Sequence, residues 1–389
     1  MLSEASPIRL IPLSGEGYAA LASLRVEGRG GYELVSQFFR PLGSRAWSRC
    51  QTGHLAFGHW ERDDGEEIVV SLPEADVVEI HCHGGLISRG QLMRPLLAAG
   101  CQLIGWEDWF TECSGDPIET AAKIALCKAK TKRVAMILVD QLGGVLRNAI
   151  EKILSQLKEG NIPTAVAILE NLLGNATFGT HLLSGWRVLL LGHPNVGKSS
   201  LFNCLLGFPR SIVLSEPGTT RDLVTATTAL EGWPIELIDT AGVRSQGEAL
   251  ERSGMELALQ EAATADLVLL VSDASQAWTR EEDEWLCQFP NTLVVHNKHD
   301  LTHSHVEKRP EGLETVAVTS AGLDTLYSQI VERAIGALPE EGAAVPHTAE
   351  QATALEAALE RLRVGMSVEA AQLLAATLLG KNEAVAPYA

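Results

Sequence analysis

The chain has 389 residues, 46% of them hydrophobic and 21% charged, with a formal net charge of −18. That length requires two or three cores, the apolar content excludes a disordered chain, and the acidity excludes a basic surface for nucleic acid over the whole molecule. The seven cysteines form no C-x-x-C pair, which argues against a disulfide framework; with no leader-like N-terminus and no long apolar run, a cytoplasmic protein without a membrane span is expected.

Residues 1–113 alternate short apolar runs with glycine-rich turns and read as an α+β domain. "AALASLRV", "LAFGHW", "EEIVVSL" and "DVVEIHC" predict strands, and "SRGQLMRPLLAAG" predicts a helix closed by Gly100. Alternation places His81 and His83 on one strand face with Cys82 opposite. No second ligand pair follows at useful spacing, so packing or cleft lining is favoured there over metal. Residues 114–184 have apolar positions three and four apart and predict helices. The densest basic run, Lys128 to Arg133, reads as a solvated helix face, with RNA contact as the alternative.

Residues 185–340 alternate strand and helix. "WRVLLLG", "PIELIDT", "DLVLLVSD", "TLVVHNK" and "TVAVTS" are near-continuously apolar, the pattern of a parallel sheet between helix layers. "GALPEEGAAVPHT" reads as an exit linker, and residues 341–389 turn helical again. The fold class expected is multidomain: an N-terminal α+β domain, a helical domain built from two chain segments, and an inserted α/β P-loop domain. Such an insertion would let the two helical segments pack together.

The inserted domain carries the chemistry. Gly192-x-x-x-x-Gly197-Lys198-Ser199 lies between a strand and a helix, the setting of a phosphate-binding loop. The backbone amides from Asn195 through Val196 and Gly197 to Ser200 would cradle phosphate oxygens at a helix N-terminus. Lys198 would reach the β- and γ-phosphates and Ser199 would offer its hydroxyl to Mg²⁺. Asp239-Thr240-Ala241-Gly242 ends a strand; Asp239 would hold Mg²⁺ through water and the Gly242 N–H would sense the γ-phosphate. Thr219 and Thr220 stand where a switch threonine that reaches Mg²⁺ belongs. Asn297-Lys298-His299-Asp300 ends another strand. Asp300 would accept from guanine N1 and the exocyclic amine, a pair adenine cannot offer. Ser320-Ala321 would close over the base. These motifs in this order predict a GTP-binding, GTP-hydrolysing protein. His296, His299, His303 and His305 around the guanine motif read as a polar loop after a strand.

Val243 follows the DTAG segment and has no group to orient water, so another residue must do so; "EALERSG" offers Glu248 and Glu251. Here a resemblance helps. "GHPNVGKSSLFN", "SIVLSEPGTTRD", "LIDTAGVR" and "LERSGMELA" resemble the G domain of the MnmE (TrmE) family of tRNA wobble-uridine modification GTPases. "ADVVEIHCHGG" and "SGEGYAALASLRVEG" resemble its N-terminal, folate-binding domain. The resemblance implies Glu251 as the catalytic glutamate and Asn195 as a K⁺ ligand, with the Ser211–Thr220 loop as a potassium-binding switch. It further implies homodimerisation through the G domains, a flavoprotein partner, indirect contact with tRNA, and a bound tetrahydrofolate derivative. The family's closing Phe-Cys-Ile-Gly-Lys is answered by Leu378-Leu379-Gly380-Lys381, and no cysteine follows Cys287, which marks a divergent member. Three readings remain open: a K⁺-stimulated tRNA-modification GTPase, a GTP-dependent ribosome or RNA assembly factor that has lost the modification chemistry, and a slowly hydrolysing scaffold.

Overall fold

The computed structural model describes residues 7–15, 19–42, 52–207, 212–214, 224–240, 248–301 and 309–380, without the side chains of 212–214 and 248–254. The chain forms two compact units, Met1–Gly115 and Asp116–Ala389.

In the first unit the order is β1 (Arg9–Pro12), β2 (Leu21–Glu27), α1 (Gly31–Phe38), β3 (Phe39–Pro41), β4 (Leu55–Trp60), β5 (Glu67–Glu74), β6 (Val77–His83), α2 (Leu86–Ala98), β7 (Gln102–Leu103) and α3 (Trp106–Cys113). The strands make one sheet, β3-β4-β5-β6-β2-β1-β7, antiparallel apart from the β1–β7 edge. Alternate residues Leu24, Val26, Ile68, Val70, Val78 and Ile80 share a core with Leu92 and Leu96 of α2, as a sheet covered on one face requires. Gly100 ends α2 at φ +96, with its N–H on Leu97 O. Four strands and α2 stand where the sequence puts them. The short β1, β3 and β7, and the eight-residue α1 and α3, are too brief to carry a periodic signal. Cys82 is buried, while His81 and His83 face the other way and bond Ser23 Oγ (2.8 Å) and Glu66 Oε1 (2.7 Å).

The second unit opens with α4 (Pro117–Lys128), α5 (Lys132–Leu142), α6 (Val145–Lys158) and α7 (Ile162–Ser184). There follow β8 (Trp186–Leu191), α8 (Lys198–Gly207), β9 (Ile212–Leu214), β10 (Val224–Leu230), β11 (Trp233–Asp239), α9 (Glu248–Ala262), β12 (Leu267–Asp273), α10 (Arg280–Gln288), β13 (Thr292–Asn297), a 3₁₀ turn (His299–Leu301), β14 (Leu313–Glu314) and α11 (Leu323–Ile335), and the unit closes with α12 (Ala349–Arg363) and α13 (Ser367–Leu379). Helix starts follow local chemistry. Asp116 accepts from Glu119 N ahead of Pro117, and Thr279/Glu282 and Thr348/Gln351 form capping boxes.

The sheet order is β14-β13-β12-β8-β11-β10-β9. It is mixed rather than purely parallel, because β10 runs antiparallel to β11 and β9 antiparallel to β10. The threonine-rich "VTATTAL" of β10 lacks the continuous apolar run that marks the central strands. "TVAVTS" is not a strand either: β14 lies just before it, and Val318 is 91% exposed. The backbone there is used elsewhere, since Ala317 N donates to Asn297 Oδ1 at 3.1 Å.

The basic run from Lys128 to Arg133 is not one helix face. It spans the end of α4, the turn and the start of α5, which Thr131 caps. Arg133 lies over the Trp233 ring at 4.3 Å and donates to Glu231 O. The exit segment is packed rather than loose. Gln141 donates to Ala343 O and accepts from Val345 N, and Asn175 donates to Ala344 O. Residues of α6 and α7 share an apolar cluster with α12 and α13. Phe178 and Leu182 of α7 enter the sheet's own core beside Trp186 and Trp233.

Candidate nucleotide-binding site

The C-terminal ends of β8, β11, β12 and β13 line up: Leu190 is level with Asp239, and Asp273 with Asn297. Loops leaving that edge of an open α/β sheet build ligand sites. The loop after β8 needs its glycines. Gly192 has φ +150 and an added Cβ would sit 2.2 Å from Val271 O; Gly197 has φ +100 and its Cβ would sit 2.2 Å from Asn297 Nδ2. Asn195 holds the left-handed region at φ 63, which asparagine tolerates better than most residues. Val196 turns into the core.

Lys198 opens α8, followed by Ser199 and Ser200. Its side chain is buried and folded back on the loop, with Nζ donating to Gly192 O (2.7 Å) and His193 O (2.8 Å). Burial pulls its pKa below the ordinary lysine range, and Asp239 opposes that shift. Asp239 is buried at the end of β11, and Thr240 Oγ1 donates to Leu190 O at 2.9 Å.

Asn297 joins the two halves of the site. It is 1% exposed. Its Nδ2 donates to Val196 O at 3.0 Å, and its Oδ1 accepts from Ala317 N. One side chain therefore fastens the phosphate loop to the loop carrying Ser320 and Ala321, which a Val316–Ala321 bridge closes. Lys298, at φ 59, donates from Nζ to Asn195 O at 2.6 Å. Asp300 is exposed in the 3₁₀ turn, as are Ser320 (φ 61) and Ala321 in theirs.

The structure thus gathers Asn195, Val196, Gly197, Lys198, Asp239, Asn297 and Lys298 through hydrogen bonds or strand register. Thr219, Thr220 and Gly242 lie outside the described residues. Glu251 lies in α9, and its side chain is likewise outside the description. Two neighbours escaped the sequence reading. Asp273 accepts from Lys298 Nζ at 2.7 Å; its signal was an acidic residue closing an apolar strand. His193 lies 3.1 Å from Thr279 Oγ1 and packs on Trp285, tying the phosphate loop to the α10 cap. His296 is buried between Ser272 Oγ and Pro310 O, and burial lowers its pKa. Among the described residues no group of three or more His, Cys, Asp or Glu could hold a metal by itself, and no helix is long and apolar enough to cross a membrane.

Residues 187–298 match the family model described as "MMR_HSR1: 50S ribosome-binding GTPase". The tRNA modification GTPase MnmE of Chloroflexus aurantiacus is 34% identical over 95% of this chain and 92% of its own length. That of Prochlorococcus marinus is 31% identical over 89% of this chain and 84% of its own. Among solved structures, Aquifex aeolicus Era bound to GDP and AlF4⁻ is 30% identical over 40% of this chain and 57% of its own, at a TM-score of 0.30.

Proposed function

The chain belongs to the MnmE family of tRNA modification GTPases and is a GTP hydrolase; from that premise we propose that it hydrolyses GTP in support of tRNA wobble-uridine modification, stimulated by K⁺ and by dimerisation. In this reading residues 185–340 are the G domain, inserted between helical parts 114–184 and 341–389, with residues 1–113 as the N-terminal domain. The observation that carries it is Asn297, whose buried amide ties the phosphate loop to the guanine loop. A site so braced binds with little reorganisation.

Each residue then has a task. Lys198 leaves the carbonyls of Gly192 and His193 for the β- and γ-phosphates. The amides from Asn195 to Ser200 cradle the phosphates. Ser199, Thr220 and Asp239 are hard oxygen donors that suit Mg²⁺, and the buried Asp239 ends β11 level with the strand feeding the phosphate loop. When bound, Mg²⁺ offsets charge on the phosphate oxygens. Gly242 reads the γ-phosphate, Asp300 selects guanine, and Ser320 and Ala321 close over the base. Glu251 would orient the attacking water, and Asn195 would hold K⁺, which when bound would offset charge on the phosphates. A flavoprotein partner would supply the redox half of the modification, with tRNA contact indirect. A tetrahydrofolate derivative would bind the first unit; support is the "EIHCHGG" segment, whose His83 lines a cleft of about 740 Å³ with Glu66, Gln91 and Arg94.

A second reading, a GTP-dependent ribosome assembly factor, draws support from the 50S ribosome-binding description of the matched family model. The test has two parts. GTP turnover is measured in K⁺ and in Na⁺ across protein concentration. We expect faster turnover in K⁺, rising with concentration, because Na⁺ is too small for a site sized to K⁺; equal rates would remove the potassium reading. In a deletion strain, loss of the wobble modification supports the first function. Intact modification with co-sedimentation on ribosomal subunits supports the second.

A further inference from the structure

Lys298 is held from two directions. Its Nζ reaches Asn195 O at 2.6 Å and Asp273 Oδ2 at 2.7 Å. Asp273 closes β12, level with Asn297, and its side chain is only 4% exposed. Its Oδ1 accepts from Ser275 N (3.0 Å) and Ser275 Oγ (2.7 Å), and Gln276 Nε2 lies 3.3 Å from Oδ2. Burial alone would raise the pKa of this carboxyl. The hydrogen bonds from Lys298 and Ser275 outweigh it and hold the group below the usual carboxylate range, so it is charged at neutral pH. A lysine side chain left alone would keep its rotamer freedom, and fixing it carries an entropic cost that the buried carboxylate offsets before any ligand arrives.

We propose that Asp273 is a positioning residue for nucleotide binding: by pinning Lys298 Nζ against the carbonyl of Asn195 it holds the phosphate loop in the turn that receives the nucleotide. The proposal needs only guanine-nucleotide binding, so it stands or falls apart from the potassium and tRNA readings. Asp273 also has a local duty, shaping the turn at Ser275, and the test must separate the two roles. The two carboxylate oxygens allow it, since Ser275 uses Oδ1 while Lys298 uses Oδ2.

The experiment measures affinity and dissociation rate of fluorescently labelled GDP with Mg²⁺ on the full chain. Asp273→Asn keeps one acceptor for Ser275 and turns an amide donor toward the ammonium. Ser275→Ala removes the hydroxyl contact and leaves the Lys298 pair. We expect Asp273→Asn to weaken GDP binding about tenfold, mainly through faster dissociation, and Ser275→Ala to stay within about twofold. In a Lys298→Met background Asp273→Asn should add nothing, the signature of a pairwise coupling. If Asp273→Asn does not fold, Asp273→Ser is carried through the same cycle. The proposal is overturned if the Asp273 variant binds GDP within twofold of the parent, if Ser275→Ala costs as much, or if the loss persists undiminished in the Lys298→Met background.

Discussion

In the proposed reading Asp300 selects guanine through two acceptor oxygens, and Asn297 braces the loops behind it. Replacing Asp300 by Asn puts a donor where guanine also donates. GDP affinity should fall at least about 100-fold, while xanthosine diphosphate, which offers a carbonyl in place of the amine, gains; competition against labelled GDP reads both, and unchanged preference contradicts the assignment. Gly197→Ala should abolish nucleotide binding, because its Cβ would meet Asn297 Nδ2 at 2.2 Å from a backbone at φ +100. Equilibrium unfolding should show about 1–3 kcal/mol lost as well; a variant that binds GDP normally would contradict the brace. At this scale legibility depended on contiguity. Lys198, Asp239 and Asp300 sit in short runs whose spacing is itself the chemistry. Asp273 does not: its partner lies 25 residues away, and only strand register brings them together. Asn297 and Lys298, read from the sequence as nucleotide-binding residues, also bond Val196 O and Asn195 O, ties that no motif spacing announces.

Among the elements, continuous apolar strands were legible and borrowed ones were not. β8, β11, β12 and β13 declare themselves because both faces are buried. "TVAVTS" has the same composition, yet its backbone serves Asn297. The exit segment reads as a linker from its Pro and Gly content, but Gln141 strings it to α5 through Ala343 O and Val345 N. Gln141→Ala should cost about 2 kcal/mol in urea unfolding, since it strands a buried acceptor and donor together; a change below about 0.5 kcal/mol would mean the segment is loose. A second tie joins α7 to the sheet. His181 stacks on Trp186 and bonds Asp266 Oδ1 at 3.0 Å. That hydrogen bond raises the His181 pKa. On Asp266 burial pushes upward, but the bonds from His181 and Arg187 N prevail and lower its pKa. The raised histidine stabilises fully below about pH 6.5 and loses that contribution as pH rises through its folded value. The depressed aspartate stabilises above about pH 4 and loses its contribution as pH falls through its own. Between pH 6 and pH 8 the parent should therefore lose about 1 kcal/mol relative to His181→Gln. Parallel stability profiles for the two proteins would refute the tie.

At the scale of the molecule, the division at Gly115 and Asp116 leaves the whole matched GTPase region, residues 187–298, in the second unit. GDP at about 100 times its Kd should stabilise that unit by about 2.7 kcal/mol and raise its calorimetric transition; an unmoved transition would contradict nucleotide binding there. The α+β beginning, helical flanks and sheet-bearing middle could be read from changes of sequence texture. The packing of α7 into the core of the sheet could not, because Phe178 and Leu182 look like any other helix-face residues. Everything functional rests on one pre-braced guanine-nucleotide site. Calorimetric titration of the folded full chain with GDP and with ADP, each with Mg²⁺, tests it most directly. Saturable heat with GDP and none with ADP is expected; no heat with GDP, or equal binding of both, would contradict a guanine-nucleotide site.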